Sequence, residues 1–264
     1  MQTVQLLQVT DPHLFGDPVT ELYGVNTANS LRLTLAAALA DGPAPDAVLV
    51  TGDIGDDMSA EAYAHFRRTL QDCGAPVFCL PGNHDDPALM TTLLNGDGFQ
   101  YCGRARVGGW GLVLLDTHMP GRPHGRLAAT ELERLDAELH ALRDAPVLVA
   151  LHHPPLPVGS AWLDGVGLTN GDALLDVIDR HSNVRCVLAG HVHQEFDAPR
   201  GGVRILATPS TCAQFTPRTE RCVMDRRPPG YRWLSLHADG SLTTRVGWLP
   251  RLVGEPRDEN EARR

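Results

Sequence analysis

Leu80-Pro81-Gly82-Asn83-His84-Asp85 closes an apolar run that begins at Val77. Pro81-Gly82 stops the run, and three side chains able to ligate a cation or move a proton follow with no apolar neighbour. A buried strand that ends this way puts those side chains at the rim of a sheet, where open α/β folds keep their sites. Working outward, four other apolar runs finish alike. Residues 4–9 lead into Thr10-Asp11-Pro12-His13, and residues 47–50 into Thr51-Gly52-Asp53. Residues 147–151 lead into His152-His153-Pro154-Pro155, and residues 184–189 into Gly190-His191-Val192-His193.

Helical patterns lie between these runs. Asn26 or Thr27 can cap a helix reaching Ala40, and Ser59 starts one with Tyr63, Phe66 and Leu70 on one face. Pro87 suits the first turn of a short helix to Leu94. Leu132, Leu135, Leu139 and Leu142 share one face of a helix over residues 130–143, and another is expected over residues 172–180. Residues 112–115 add a strand ending at Asp116. After Gly190 the pattern turns to hairpins: residues 196–199, 203–207, 232–237 and 242–246, with turns at Arg200-Gly201-Gly202 and Ala238-Asp239-Gly240. Strands alternating with helices predict an α/β fold whose sheets are covered by helices on their outer faces. The hairpins over residues 195–250 would complete those sheets with antiparallel strands. One domain over residues 1–250 is expected, followed by a charged, disordered tail over residues 251–264.

Composition narrows the function. The chain has 264 residues, 42% of them hydrophobic, enough for one large core. No apolar run reaches the roughly 18 residues of a membrane span. The N-terminus enters a strand without a positively charged segment, so no signal peptide is expected. The cysteines (Cys73, Cys79, Cys102, Cys186, Cys212 and Cys222) make no Cys-x-x-Cys pair, which fits reduced thiols in a cytoplasmic protein. A net charge of −9 argues against binding nucleic acid polymers or anionic lipid.

The strand ends together offer Asp11, His13, Asp53, Asn83, His152, His191 and His193, with His84 spare. That is too many donors for one tetrahedral ion; it fits two ions with one carboxylate bridging. Oxygen and imidazole donors without sulfur favour iron, manganese or zinc over magnesium or calcium. In Asp-x-His and His-x-His, extended backbone sends both side chains to one side.

Asp-x-His, Gly-Asp, Gly-Asn-His-Asp, a lone His and Gly-His-x-His, in that order, resemble the calcineurin-like metallophosphoesterases. The likeness is closest to bacterial class III 3′,5′-cyclic-AMP phosphodiesterases. It extends to residues 22–27, Pro123-His124-Gly125, residues 207–212 and residues 236–240, and covers residues 4–247. The resemblance implies a four-layer αββα sandwich, with two mixed β-sheets flanked by helices. It implies two metal ions, iron and manganese favoured: Asp11, His13 and His193 on the first, Asn83, His152 and His191 on the second, Asp53 bridging. His84 would reach the substrate, and His13, Asp53, Asn83 and His193 would also face it. A homodimer is implied as well.

The chemistry expected is hydrolysis of 3′,5′-cyclic AMP to 5′-AMP. Two divalent cations, two carboxylates and a bridging hydroxide leave about +1, which attracts a phosphodiester monoanion to an acidic protein. The hydroxide would attack phosphorus in line, and His84 would protonate the leaving 3′ oxygen as general acid. The alternative substrate is another small diester, such as a glycerophosphodiester. A catalytically dead scaffold would show a lost ligand, and none is lost. His153 is read as pointing away from the metals and His124 as a loop residue that can face the substrate. Asp116 is read as a turn cap or a partner to a ligand histidine, and Cys212 as a small loop residue. Which loops recognise the base is not readable from spacing.

Overall fold

The alternation of strand residues between two apolar environments organises the molecule. The computed structural model describes residues 3–257; residues 258–264 of the expected tail lie outside the described residues. The elements in order are β1 (Val4–Val9), β2 (Glu21–Leu22), β3 (Val25–Asn26), α1 (Thr27–Asp41), β4 (Ala47–Val50), α2 (Ala60–Leu70), β5 (Val77–Cys79) and α3 (Pro87–Leu93). Next come β6 (Phe99–Tyr101), β7 (Gly103–Val107), β8 (Trp110–Leu114), α4 (Ala129–Ala141), β9 (Val147–Ala150), α5 (Ala161–Asp164), α6 (Gly171–Asp179) and β10 (Val184–Ala189). The chain continues with β11 (Phe196–Arg200), β12 (Val203–Ala207), β13 (Gln214–Phe215), β14 (Met224–Asp225), β15 (Gly230–Leu236) and β16 (Leu242–Trp248).

Two six-stranded sheets form, in the orders β16-β15-β1-β4-β5-β6 and β11-β12-β10-β9-β8-β7. Both are mixed. β1, β4, β5 and β6 run parallel, and β15 and β16 join antiparallel. β8, β9, β10 and β12 run parallel, with β7 and β11 antiparallel at the edges.

Leu7, Val9, Val48 and Val50 face outward under Leu31 and Leu35 of α1 and Tyr63, Phe66 and Leu70 of α2. Val147, Val149, Val187 and Ala189 face the other way, under Leu135 and Leu139 of α4 and Leu174 and Ile178 of α6. The intervening residues, Leu6, Leu49, Leu148, Ala150, Cys186 and Leu188, meet between the sheets. The period of two thus divides each strand between a helix-covered face and a sheet-covered face, giving the αββα sandwich. Each such buried aliphatic side chain contributes about 1.5–3 kcal/mol.

Helix starts follow the capping residues. Asn26 accepts from Asn29 N, Ser59 from Ala62 N, and Asp86 from Ala88 N and Leu89 N. β6, β7 and α5 were not expected from the sequence. β7 is an edge strand with Arg104 and Arg106 exposed, so it lacks an apolar run, and α5 is a single turn inside a Gly- and Pro-rich loop. Residues 251–257 carry no regular element; Arg257 N donates to Tyr23 O at 3.0 Å, and Val253 packs by Val25 and Cys212.

Candidate metal centre

The parallel strands deliver their C-terminal loops to one place. The loops after β1 and β4 are zipped together: Asp11 N donates to Gly52 O at 3.1 Å and His13 N to Asp53 O at 2.9 Å. The loop after β12 braces them, since Thr211 N donates to Thr10 O at 3.0 Å and Ser210 Oγ to Asp11 O at 2.7 Å. Asp85 ties in the loop after β5. Its carboxylate accepts from Ile54 N, Gly55 N, Gly82 N and Tyr63 Oη. Gly82 is required at its place, because a Cβ there would lie 2.1 Å from Asp53 Oδ1.

Asp11, His13, Asp53, Asn83, His84, His152, His191 and His193 all come together, as the strand ends suggested. Asp53 Oδ2 lies 3.3 Å from His152 Nε2 and 3.7 Å from His13 Nε2. Asp11 Oδ1 lies 3.4 Å from His193 Nε2 and 4.0 Å from His152 Nε2. Asn83 Oδ1 is 3.2 Å from His152 Nε2, and the His152 and His191 rings are 5.1 Å apart. His84 stands beside them on the solvent side, its N–H donating to Asp53 Oδ1 at 2.9 Å. Asp11, Asp53, His13, His152, His191 and His193 are buried.

Three of the imidazoles are oriented from behind. His152 Nδ1 lies 2.7 Å from Thr51 O, His193 Nδ1 2.8 Å from Ala213 O and His13 Nδ1 2.9 Å from Asp56 Oδ1. A carbonyl or carboxylate takes the Nδ1 proton, so the Nε2 lone pair turns inward. Phe215 stacks on His193 with centroids 4.5 Å apart and planes 18° from parallel, and Trp162 meets Phe215 edge-on.

Asp-x-His and His-x-His do not lie in extended backbone, the conformation expected from the sequence; left-handed residues aim the side chains instead. Asp11, His13, Asp53, His191 and His193 have φ of 51°, 48°, 50°, 69° and 46°. Each left-handed residue without glycine costs about 1 kcal/mol or more, and such residues concentrate at functional sites.

The electrostatics suit cations. Burial opposes ionisation of Asp53, yet His152, His84 and His13 hold its carboxyl well below the usual range. Burial likewise opposes ionisation of Asp11, and His193 and His152 outweigh it. Burial, with His152 alongside, pushes His191 down to about 3, so its ring is neutral. Its Nε2 is buried and has no hydrogen-bond partner among the described residues. His13 Nε2 and His193 Nε2 face each other at 3.2 Å. An unpartnered neutral imidazole nitrogen, and two lone-pair nitrogens aimed at one another beside buried carboxylates, fit bound cations. Asp11–His13–His193, Asp11–Asp53–His152 and His13–Asp53–His84 each place a ligand atom within 4.8 Å of the others.

His152–His153–His191 meets the same distance test. Both His153 nitrogens are already engaged, however: Nδ1 with Thr117 Oγ1 at 2.8 Å and Nε2 with Pro123 O at 3.2 Å. Asp116 accepts from His118 N and Tyr101 Oη, a turn cap rather than a histidine partner. Burial pushes the Cys212 thiol up to about 12, so it is no thiolate. Sequence reading missed Asp56, whose Oδ1 also lies 3.1 Å from His84 Nδ1. Its spacing in Asp53-Ile54-Gly55-Asp56 was the available signal. Burial opposes the imidazolium of His84, but Asp56 and Asp53 raise its pKa to about 9.

Comparison with known proteins places the chain in a family. The chain is 40% identical over 254 residues to a protein of Pseudomonas aeruginosa named 3′,5′-cyclic adenosine monophosphate phosphodiesterase CpdA, covering 96% of this chain and 93% of the relative. It is 41% identical over 259 residues to the CpdA of Escherichia coli, covering 98% and 94%. A dimetal phosphatase from Danio rerio superposes with a TM-score of 0.68 at 17% identity, over 89% of this chain and 93% of that one. Residues 4–195 match the calcineurin-like phosphoesterase family, and with the near-full-length relatives this match establishes that the chain belongs to it.

Proposed function

We propose that this protein hydrolyses 3′,5′-cyclic AMP to 5′-AMP at a centre of two cations. The observation that carries the reading is the identity of 40% over 96% of the chain to a protein named for that reaction. The convergence of Asp11, His13, Asp53, Asn83, His152, His191 and His193 at the strand ends supports it.

In this reading Asp11, His13 and His193 hold the first cation, Asn83, His152 and His191 the second, and Asp53 bridges. Imidazole and oxygen donors without sulfur favour iron or manganese, with zinc as the other choice. When bound, such cations set positive charge against the phosphate and acidify water at neutral pH. The chain's own work is positioning and proton transfer. In this reading the left-handed backbone at Asp11, Asp53 and His193 aims their donors inward. Asp56 holds His84 through Nδ1, so the proton His84 can give is the one on Nε2. An alkoxide leaves poorly without a proton, and His84 supplies it to the 3′ oxygen. We place the enzyme in a bacterial cytoplasm and expect a homodimer. No helix among the described residues is long and apolar enough to cross a membrane.

The test is turnover by protein loaded with Mn²⁺, offered 3′,5′-cyclic AMP, 3′,5′-cyclic GMP and glycerophosphocholine in parallel. Production of 5′-AMP with the highest kcat/KM is expected. Preference for glycerophosphocholine would overturn the assignment.

A further inference from the structure

A buried chain of polar side chains runs between the two sheets and ends on Asp11. It begins at Arg232 on β15, only 1% exposed. Arg232 Nε donates to Thr208 Oγ1 at 2.9 Å, while Nη2 donates to Ala207 O at 2.9 Å and Nη1 to Thr244 Oγ1 at 3.1 Å. Thr208 Oγ1 donates to Gln8 Oε1. Gln8 Nε2 donates to Thr51 Oγ1 at 2.8 Å and to Ala189 O at 3.0 Å. Thr51 Oγ1 donates to Thr10 Oγ1 at 2.7 Å, and Thr10 Oγ1 to Asp11 Oδ2 at 2.6 Å. Gln8, Thr10, Thr51 and Thr208 are fully buried.

The two ends force the direction of every bond. A guanidinium only donates, so Thr208 must accept from it and give its own proton to Gln8. The Ala189 carbonyl only accepts, so the amide nitrogen of Gln8 faces it and Thr51. An ionised carboxylate only accepts, so Thr10 must donate to Asp11. All the dipoles therefore align from a buried cation to a buried carboxylate, the arrangement in which each bond polarises the next.

The relay also divides the work of the Asp11 oxygens. Thr10 takes Oδ2, whereas Oδ1 is the oxygen close to His193 Nε2 and His152 Nε2. His191 N braces both oxygens at 3.1 Å. Elsewhere the two sheets are sealed by apolar contacts such as Leu6, Leu49, Leu148 and Leu188. A buried arginine and glutamine seal them less well than leucines would. The polar run lies at the end of the interface where the carboxylate stands.

We propose that Gln8, Thr51, Thr208 and Arg232 are positioning residues that set Asp11 for cation binding. They lock its carboxylate with Oδ2 toward Thr10 and Oδ1 toward the centre. Gln8 is the junction, the one side chain bonded to Thr208, Thr51 and β10 at once. The proposal rests on the reading of Asp11 as a metal ligand.

Metal-free wild type and the variants Gln8→Met, Thr51→Val and Thr51→Ser are titrated with Mn²⁺ by calorimetry, with bound metal counted by elemental analysis. Wild type is expected to take two ions. Gln8→Met and Thr51→Val should weaken one of the two by about 10- to 100-fold and leave the other unchanged. Thr51→Ser, which keeps the hydroxyl, should behave as wild type. If both breaking variants keep both affinities and lose only melting temperature, the relay is inter-sheet packing and the proposal fails. Equal weakening of both ions also overturns it. A wild type that takes fewer than two ions overturns the reading of the centre itself, and this proposal with it. Should Gln8→Met not fold, the pair Thr51→Val and Thr51→Ser decides.

Discussion

Asp56 Oδ1 lies 3.1 Å from His84 Nδ1, and the same oxygen lies 2.9 Å from His13 Nδ1. One carboxylate thus orients a proposed cation ligand and a proposed proton donor. Asp56→Ala should lower kcat by about 10- to 100-fold and weaken Mn²⁺ binding. Asp56→Asn keeps an oxygen acceptor without the charge and should fall between. Steady-state rates with bound-metal analysis check this; wild-type kcat in both variants would dissolve the link.

In the proposed reading His84 acts on the leaving group. His84→Gln should keep both cations and lose about 10²- to 10⁴-fold in turnover of 3′,5′-cyclic AMP. A substrate with a good leaving group, such as bis(p-nitrophenyl) phosphate, leaves without a proton. Its turnover should drop far less. Equal losses on both substrates would mean that His84 positions the phosphate instead of protonating the leaving oxygen.

The uneven legibility of this site has a physical origin. Asp11, Asp53, His152, His191 and His193 stood out because each follows an apolar run directly, and strand direction does the rest. Asp56 sits three residues past Asp53, and that spacing alone does not set it apart from a solvated acid. Gln8 is harder still. In Val-Gln-Leu-Leu-Gln-Val the two glutamines are three positions apart and fall on opposite faces, so the pattern does not mark Gln8 as buried. It is buried because a second sheet covers its face, a fact carried by distant residues such as Ala189 and Thr208. The main strands and helices were legible to within a few residues, while the edge strand β7 was not, since half of it is exposed.

Gly125 and His153 are coupled by close approach. A Cβ on Gly125 would lie 2.3 Å from His153 Nδ1, and His153 is fully buried. Gly125→Ala should cost about 1–3 kcal/mol by overpacking. His153→Ala leaves a cavity that the added methyl can enter, so the double variant should be less destabilised than the sum of the singles. Denaturant melts of the three proteins measure the coupling. Strict additivity would show that the loop simply moves aside.

Asp41 gives a pH signature far from the centre. Its carboxyl is held below the usual range by hydrogen bonds from Arg245 and Tyr231. A carboxyl depressed in the folded state stabilises above its unfolded pKa of about 3.9, and that gain is lost as pH falls through the folded value. Asp41 and Arg245 are 48% and 47% exposed, so the contribution is at most about 1 kcal/mol. Asp41→Asn should therefore melt slightly below wild type at pH 7, and the gap should close in acid. A gap that persists once the carboxyl is protonated would assign the effect to shape rather than charge.

Cation removal and cation binding should act on stability in a way that Asp53 controls. Asp11 and Asp53 are buried, and each raises the other's cost of ionisation. A ligand that binds only the folded state at about 100 times its Kd stabilises by about 2.7 kcal/mol. For a chain of this size that corresponds to a rise in Tm on the order of 5–10 °C when Mn²⁺ is added to metal-free protein. Asp53→Asn removes a carboxylate that His152, His84 and His13 hold ionised in the folded state, so at pH 7 the metal-free variant should melt below metal-free wild type. It also removes the proposed bridge, so most of the Mn²⁺-dependent rise should vanish. The first shift is read from the metal-free melting curves and the second from the rise that Mn²⁺ adds to each. A variant that keeps the full Mn²⁺-dependent rise would show that Asp53 does not bind the cations.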